Sequence, residues 1–257
     1  MDIKYVVADP AGNITGLVLT KLPQSDYKAV ARYLIEHSPF GLEQVGFIHD
    51  CNDCDGSLEM MGGEFCGNAS RSFGLYLAKN AISIQDDKVL IRVSGVSAKL
   101  EVRTDLKLNE ANIKMPPIQA LVNIQTKEYG QVPMVVMEGI SHVLLIDRHP
   151  DQEKGEQLIR ELADDSGDDA LGVMYYESDH RFLTPLVWVR DTDTMIWESS
   201  CGSGSVALAS YLEQAAQGDW TQTFKEPGGT LKVERLDGAL YLGGPVTFSE
   251  VISTKLP

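Results

Sequence analysis

The chain predicts an α+β fold, mostly antiparallel sheet, built as two related halves. Three observations carry this: many short β-branched runs separated by turn residues, few helical segments, and a cysteine-glycine motif that occurs twice. The strand-length runs cover 3–7, 16–19, 45–48, 89–93, 99–102, 134–137, 142–146, 183–189, 195–197, 231–233 and 246–248. Many alternate apolar and polar residues, as half-buried antiparallel strands do. Among the helical segments, Ser25-Asp26 precede a stretch carrying Tyr27, Val30, Ala31 and Leu34 on one face, a capped amphipathic helix. Leu158, Ile159 and Leu162 mark a second. Two more open at cysteines, near 66–79 with Phe73 and Leu77 inward, and near 201–214 with Val206, Tyr211 and Leu212 inward. Pro116-Pro117 end a strand and set the boundary, giving half-domains 1–117 and 118–257.

Composition bounds the function. Of 257 residues, 37 are Asp or Glu and 22 are Lys or Arg, for a net charge of −15. That surface repels phosphate backbones, so nucleic acid is not an expected partner. No apolar run of about 18 residues exists, so no membrane span is expected. The first residues, Met1-Asp2-Ile3-Lys4-Tyr5, lack the basic-then-apolar pattern of an export signal. A cytoplasmic location follows as the expectation, with all four cysteines as reduced thiols. Hydrophobic residues make up 43% of the chain, which is too many for a disordered one.

The repeat carries the chemistry. Glu64-Phe65-Cys66-Gly67-Asn68-Ala69-Ser70 and Ser199-Ser200-Cys201-Gly202-Ser203-Gly204-Ser205 each place Cys-Gly at the start of an amphipathic helix, one per half. A helix N-terminus has unpaired N–H groups and a partial positive charge, which stabilise a thiolate. The same groups bind a substrate carboxylate. Two such thiols on opposite sides of one carbon invert it: one takes the α-proton, and the other delivers a proton to the far face. Two capping cysteines with helix-entry glycines would be the structural alternative. An amino-acid-binding module without catalysis would not need the thiols.

These elements resemble the two cysteine motifs of the diaminopimelate epimerases and proline racemases, cofactor-independent enzymes of two pseudo-symmetric half-domains. Pro10-Ala11-Gly12-Asn13, Gly41-Leu42-Glu43-Gln44-Val45, Ser141-His142-Val143 and Pro227-Gly228-Gly229 extend the likeness over nearly the whole chain. The epimerase signature ahead of the second cysteine is missing, because Ile196-Trp197-Glu198 runs directly into Ser199-Ser200-Cys201. With it goes the Arg that holds a distal carboxylate. The remaining motifs, with Val93-Ser94-Gly95, resemble the histidine racemases of staphylopine-type metallophore synthesis. The resemblance implies a diaminopimelate epimerase-like fold and racemisation of L-histidine to D-histidine by Cys66 and Cys201, with no cofactor and no metal. Diaminopimelate epimerase and proline or hydroxyproline racemase are the alternatives. It implies substrate-binding roles for Asn13, Gly67, Asn68, His142, Glu198, Gly202 and Ser203, His142 acting through a neighbour. Glu43 is the expected partner of the imidazole. The expected partner is a small amino acid, and a homodimer stays open.

Other motifs carry less. Cys51-x-x-Cys54 lies in an acidic turn without a second pair at zinc spacing. Gly62-Gly63 and Gly243-Gly244 lack the strand–helix context of a dinucleotide site. No lysine sits in a pyridoxal-phosphate motif.

Overall fold

The computed structural model describes residues 1–80, 87–165, 167–168, 170–191 and 193–256. Contacts divide the chain into two units. The first combines Met1–Lys114 with the segment from Gly243 onward, and the second is Met115–Leu242.

The first unit contains strands β1 (Asp2–Asp9) and β2 (Thr15–Val18), helix α1 (Tyr27–His37), β3 (Gln44–His49), β4 (Gly56–Met60), helix α2 (Gly67–Asn80), β5 (Lys88–Val93), β6 (Leu100–Asp105) and β7 (Glu110–Lys114). β1–β2, β3–β4, β5–β6 and β6–β7 pair antiparallel. β2–β3 and β4–β5 pair parallel, and each of these crossovers carries a helix. In α1, Tyr27, Val30, Ala31 and Leu34 are all buried, as the periodicity predicts. Each large apolar side chain so buried stabilises the unit by roughly 1.5–3 kcal/mol. Asp26 makes no side-chain cap on this helix; Ser25 Oγ binds its carboxylate at 3.2 Å.

The second unit contains β8 (Ala120–Thr126), β9 (Gly130–Val136), β10 (Ser141–Ile146), helix α3 (Gln152–Asp165), β11 (Ala170–Glu177), β12 (Phe182–Val189), β13 (Thr194–Trp197), helix α4 (Gly202–Leu212), β14 (Trp220–Glu226) and β15 (Gly229–Leu236). β9–β10 and β11–β12 pair antiparallel, β10–β11 pair parallel around α3, and β14 touches β12 in parallel after α4. The order of helix crossovers repeats that of the first unit. Both cysteine motifs fall at the same step, ahead of the second crossover helix.

The two central helices are rich in Gly, Ala and Ser because they are enclosed. Gly67–Leu75 of α2 and Gly202–Ala209 of α4 are buried without interruption. A Cβ on Gly74 would lie 2.6 Å from Val102 Cβ. This enclosure corrects the expected inner face of α4: Val206 is buried, Tyr211 is half-buried, and Leu212 is 41% exposed. A helix covered on all sides has no face for periodicity to report.

Two further expectations are corrected. Residues 118–257 do not form one half, because β16 (Ala239–Pro245) crosses back and the strands after it, β17 (Thr247–Phe248) and β18 (Ile252–Lys255), pair with β1. Asp2 pairs with Lys255 and Ala8 with Phe248, so the end of the chain completes the first sheet. Nor are all four cysteines thiols: Cys51 and Cys54 form a disulfide, and Cys66 and Cys201 are free. The β3–β4 turn brings the Cα atoms of Cys51 and Cys54 to 5.3 Å, inside the bridging range. Asp53 lies between them and is held by Arg92 at 2.9 Å and Lys99 at 2.7 Å. No helix among the described residues is long and apolar enough to cross a membrane.

Candidate active site

Cys66 immediately precedes α2 and is half-buried. The parallel register of β2 and β3 sets Thr15 beside Gln44 at the start of both strands. Gln44 Nε2 donates to Cys66 Sγ at 3.2 Å and to Thr15 Oγ1 at 2.9 Å, and it also meets Asn13 Oδ1. The Ala69 N–H donates to the same sulfur at 3.4 Å, and the thiol reaches Asn13 Oδ1 at 3.7 Å. Asn13 and Gln44 are buried, so these are desolvated contacts. The backbone leading to Cys66 is pinned from the side. Ser94 Oγ donates to Glu64 O at 2.8 Å and accepts from Met60 N at 2.9 Å, while Glu64 closes its own turn on Gly62 N.

Cys201 is the N-cap residue of α4, with extended backbone at φ −123 and ψ 103, and it is buried. Its sulfur lies 3.6 Å from Ser203 Oγ, and that oxygen is 2.9 Å from His142 Nε2. His142 comes from β10, where the parallel register sets it opposite Gly172. A Cβ at Gly172 would lie 2.3 Å from His142 Nδ1, so only glycine leaves room for this ring. Glu226, at the end of β14, accepts from Cys201 N at 2.6 Å and from Ser205 Oγ at 2.5 Å. The next turn is tied back by Gly228 N to Ser199 O at 2.7 Å. That bond gives Pro227-Gly228-Gly229 its place beside the cysteine segment.

The electrostatics at Cys201 reverse the expectation for a helix-end thiol. Burial, with the carboxylates of Glu198 and Glu226, pushes its thiol well above the usual cysteine range, outweighing Ser203 and the Gly204 N–H. Burial likewise pushes the Glu226 carboxyl up to about 8.

Of the residues singled out in the sequence, Asn13 meets Cys66, and Ser203 meets Cys201. His142 is fully buried behind Ser203 and reaches the thiol only through that hydroxyl. Asn68 is buried, and its Oδ1 accepts from Arg71 Nε at 3.1 Å. Gly67 and Gly202 open the two helices. Glu43 is half-buried just ahead of β3, its N–H on Ile14 O at 2.9 Å, and its neighbour Gln44 is the residue that meets the thiol. Glu198 is half-buried three residues before Cys201, with its N–H on Pro185 O at 3.0 Å. The sequence reading missed Gln44, Arg71, Ser205 and Glu226. Alternation along β14 could have found Glu226, which shares the inward phase of Phe224.

His142 makes acid stability measurable. The unfolded chain takes up this proton near 6.5, whereas burial holds the folded imidazole neutral down to about 3. The stability it contributes is therefore full above 6.5 and lost as pH falls toward 3. At pH 5 the loss is about 2 kcal/mol, equivalent to a thermal midpoint lowered by about 4–8 °C. His142→Asn should show a smaller drop between pH 7 and pH 5 in thermal denaturation. An equal drop in both proteins would place the acid sensitivity elsewhere.

Residues 2–237 match the family described as the histidine racemase CntK N-terminal domain. A histidine racemase from Fusobacterium nucleatum is 32% identical over 253 residues, covering 95% of this chain and 94% of that protein. A histidine racemase from Staphylococcus aureus is 28% identical, covering 90% of this chain and 88% of that protein. A hydroxyproline epimerase from Agrobacterium vitis, crystallised with trans-4-hydroxy-L-proline, shares the fold at a TM-score of 0.72 and 11% identity, covering 98% of this chain and 92% of that one. With the match running through both cysteine motifs, this chain belongs to the histidine racemase family.

Proposed function

We propose that this protein interconverts L- and D-histidine without a cofactor, with Cys66 and Cys201 exchanging the Cα proton. The observation that carries the reading is the duplicated placement: a cysteine outside the disulfide at the start of the central helix in each unit, with Gln44 and Asn13 within reach of one sulfur and Ser203 within reach of the other. One sulfur, as thiolate, takes the α-proton while the C–H electron pair moves into the carboxylate. The other, as thiol, gives its proton to the opposite face. The α-carbon of an amino acid is a weak acid, so charge developing on the carboxylate oxygens must be met by fixed donors. Backbone N–H groups at Gly67, Asn68, Gly202 and Ser203 are suited to that task. A donor set of this kind contributes roughly 3–4 kcal/mol to transition-state stability.

Histidine is favoured over diaminopimelate because the Arg of the epimerase signature is absent from the approach to Cys201. Glu43 supplies a carboxylate for the imidazole, whose protonated form offers two donors and a charge. The family resemblance also supports a cytoplasmic reaction with D-histidine passing to metallophore synthesis. Chiral chromatography of L-histidine, LL-diaminopimelate and L-proline incubations tests the substrate. Histidine should turn over, and Glu43→Gln should lower its kcat/KM by about ten- to a hundredfold with an unchanged thermal midpoint. Turnover of either other amino acid with histidine inert would overturn the assignment.

A further inference from the structure

Each cysteine has a buried ionisable group near it, a guanidinium at Cys66 and a carboxyl at Cys201. Arg71 of α2 is fully buried. Its guanidinium donates to Asn68 Oδ1 at 3.1 Å and to the carbonyls of Pro10 at 2.9 Å, Gly244 at 2.8 Å and Pro245 at 3.2 Å. Every one of these partners is neutral, and among the described residues Arg71 makes no ion pair. The hydrogen bonds fix the group without cancelling its charge. The acidic groups whose field favours that charge are Cys66 first, then Asp9 of β1 and Glu110 of β7. Burial lowers the guanidinium only to about 10, so it stays positive at neutral pH.

At Cys201 the buried group is an acid, which burial keeps largely protonated at neutral pH and which turns negative, against a thiolate, as the pH rises past about 8. Glu226 is 3% exposed and has no cationic partner among the described residues. It occupies the Cys201 N–H and the Ser205 hydroxyl, so a carboxyl group sits where the helix N-terminus would otherwise support a thiolate. Glu198 adds a second acidic group from the β13 side, and His142, facing Ser203 from β10, is neutral.

We propose that Arg71 and Glu226 are positioning groups that make Cys66 the proton acceptor and Cys201 the proton carrier in the free enzyme: the buried guanidinium favours a Cys66 thiolate, and the Glu226 carboxyl takes the N–H that would favour one at Cys201. This rests on the two-cysteine reading above. The enantiomer that presents its Cα–H to Cys66 loses that proton to the thiolate, and its electron pair passes to the carboxylate. The Cys201 S–H then protonates the opposite face. The enzyme is left with Cys66 as thiol and Cys201 as thiolate, the form that accepts the other enantiomer. Return to the resting form moves one proton from Cys66 to Cys201 through solvent or product.

Ultraviolet titration of single thiols tests this without substrate. In a Cys51→Ser/Cys54→Ser background, adding Cys201→Ala leaves Cys66 to report, and adding Cys66→Ala leaves Cys201. Cys66 should titrate below Cys201 by about two pH units or more. Glu226→Gln should lower the Cys201 midpoint and leave Cys66 unmoved, whereas Arg71→Met should raise the Cys66 midpoint alone. Equal midpoints, the reverse order, or a Glu226→Gln protein with an unmoved Cys201 would overturn the assignment. If Arg71→Met does not fold, the order in the proteins with native charges still decides. Histidine turnover by the Cys51→Ser/Cys54→Ser parent, read by chiral chromatography, separates failure of this polarity from failure of the two-cysteine reading.

Discussion

Serine at position 66 or position 201 should abolish histidine racemisation while leaving a folded protein. The substitution keeps the size and the hydrogen-bonding reach of the side chain. At Cys201 a hydroxyl fits beside Ser203, and at Cys66 it fits beside Gln44 and Ala69. What it removes is acidity, since a serine hydroxyl neither accepts the α-proton as a stable anion nor surrenders its own in the required step. Losing one positioned proton carrier costs on the order of a hundred- to ten-thousandfold in rate. With two carriers acting in one inversion, either loss stops the net reaction. Chiral chromatography measures it, and circular dichroism confirms the fold. Solvent deuterium entering Cα of one enantiomer only, without inversion, would be the signature of the surviving thiol. Racemisation near the parent rate in either variant would sink the mechanism.

Gly95→Ala should destabilise the protein by about 2–5 kcal/mol, the sum of a left-handed backbone penalty and a steric one. The residue has φ +73, and a Cβ there would lie 2.3 Å from Phe65 N and 2.8 Å from Glu64 C. Both neighbours are backbone atoms of the segment that delivers Cys66, so no side chain can rotate away. The thermal midpoint should fall by roughly ten degrees, and residual activity should suffer as the cysteine segment shifts. Gly41→Ala is the control. It has φ +64 with nothing within 4 Å of the added carbon, so it carries the backbone penalty alone. Equal losses in the two variants would show that the contact with Phe65 and Glu64 is not what makes Gly95 necessary.

The features legible in the sequence are those encoded locally. Tyr27, Val30, Ala31 and Leu34 repeat at helical spacing and do line the buried face of α1. The doubled Cys-Gly motif located the starts of both central helices to within a residue. What escaped was set by distant pairing or by enclosure. Nothing near Ile252 marks it as the partner of Tyr5, since that contact is decided by the register of β18 on β1. Leu212 resembles a core residue in a helix plot, but α4 is enclosed over its first turns and emerges at its end. Arg71 reads as one more helix cation until its neighbours are seen to be Gly, Ala, Ser and Phe, none of which belongs to a solvated face. Gln44 was within one position of the residue chosen, and only the pairing of Thr15 with Gln44 shows which of the two meets the sulfur.

The unlike neighbours of the two sulfurs, Gln44 and Asn13 at one, Ser203 and His142 at the other, bear on how such an enzyme treats the two hands of its substrate. Mirror-image amino acids have equal free energies in water, so the equilibrium constant between them is one. A catalyst, however lopsided, leaves that constant alone. The lopsidedness therefore appears as different saturation levels and different maximal velocities for the two enantiomers, while kcat/KM is the same in both directions. Tight capture of one hand is matched by slow turnover of that hand, and at low concentration the two convert at equal speed.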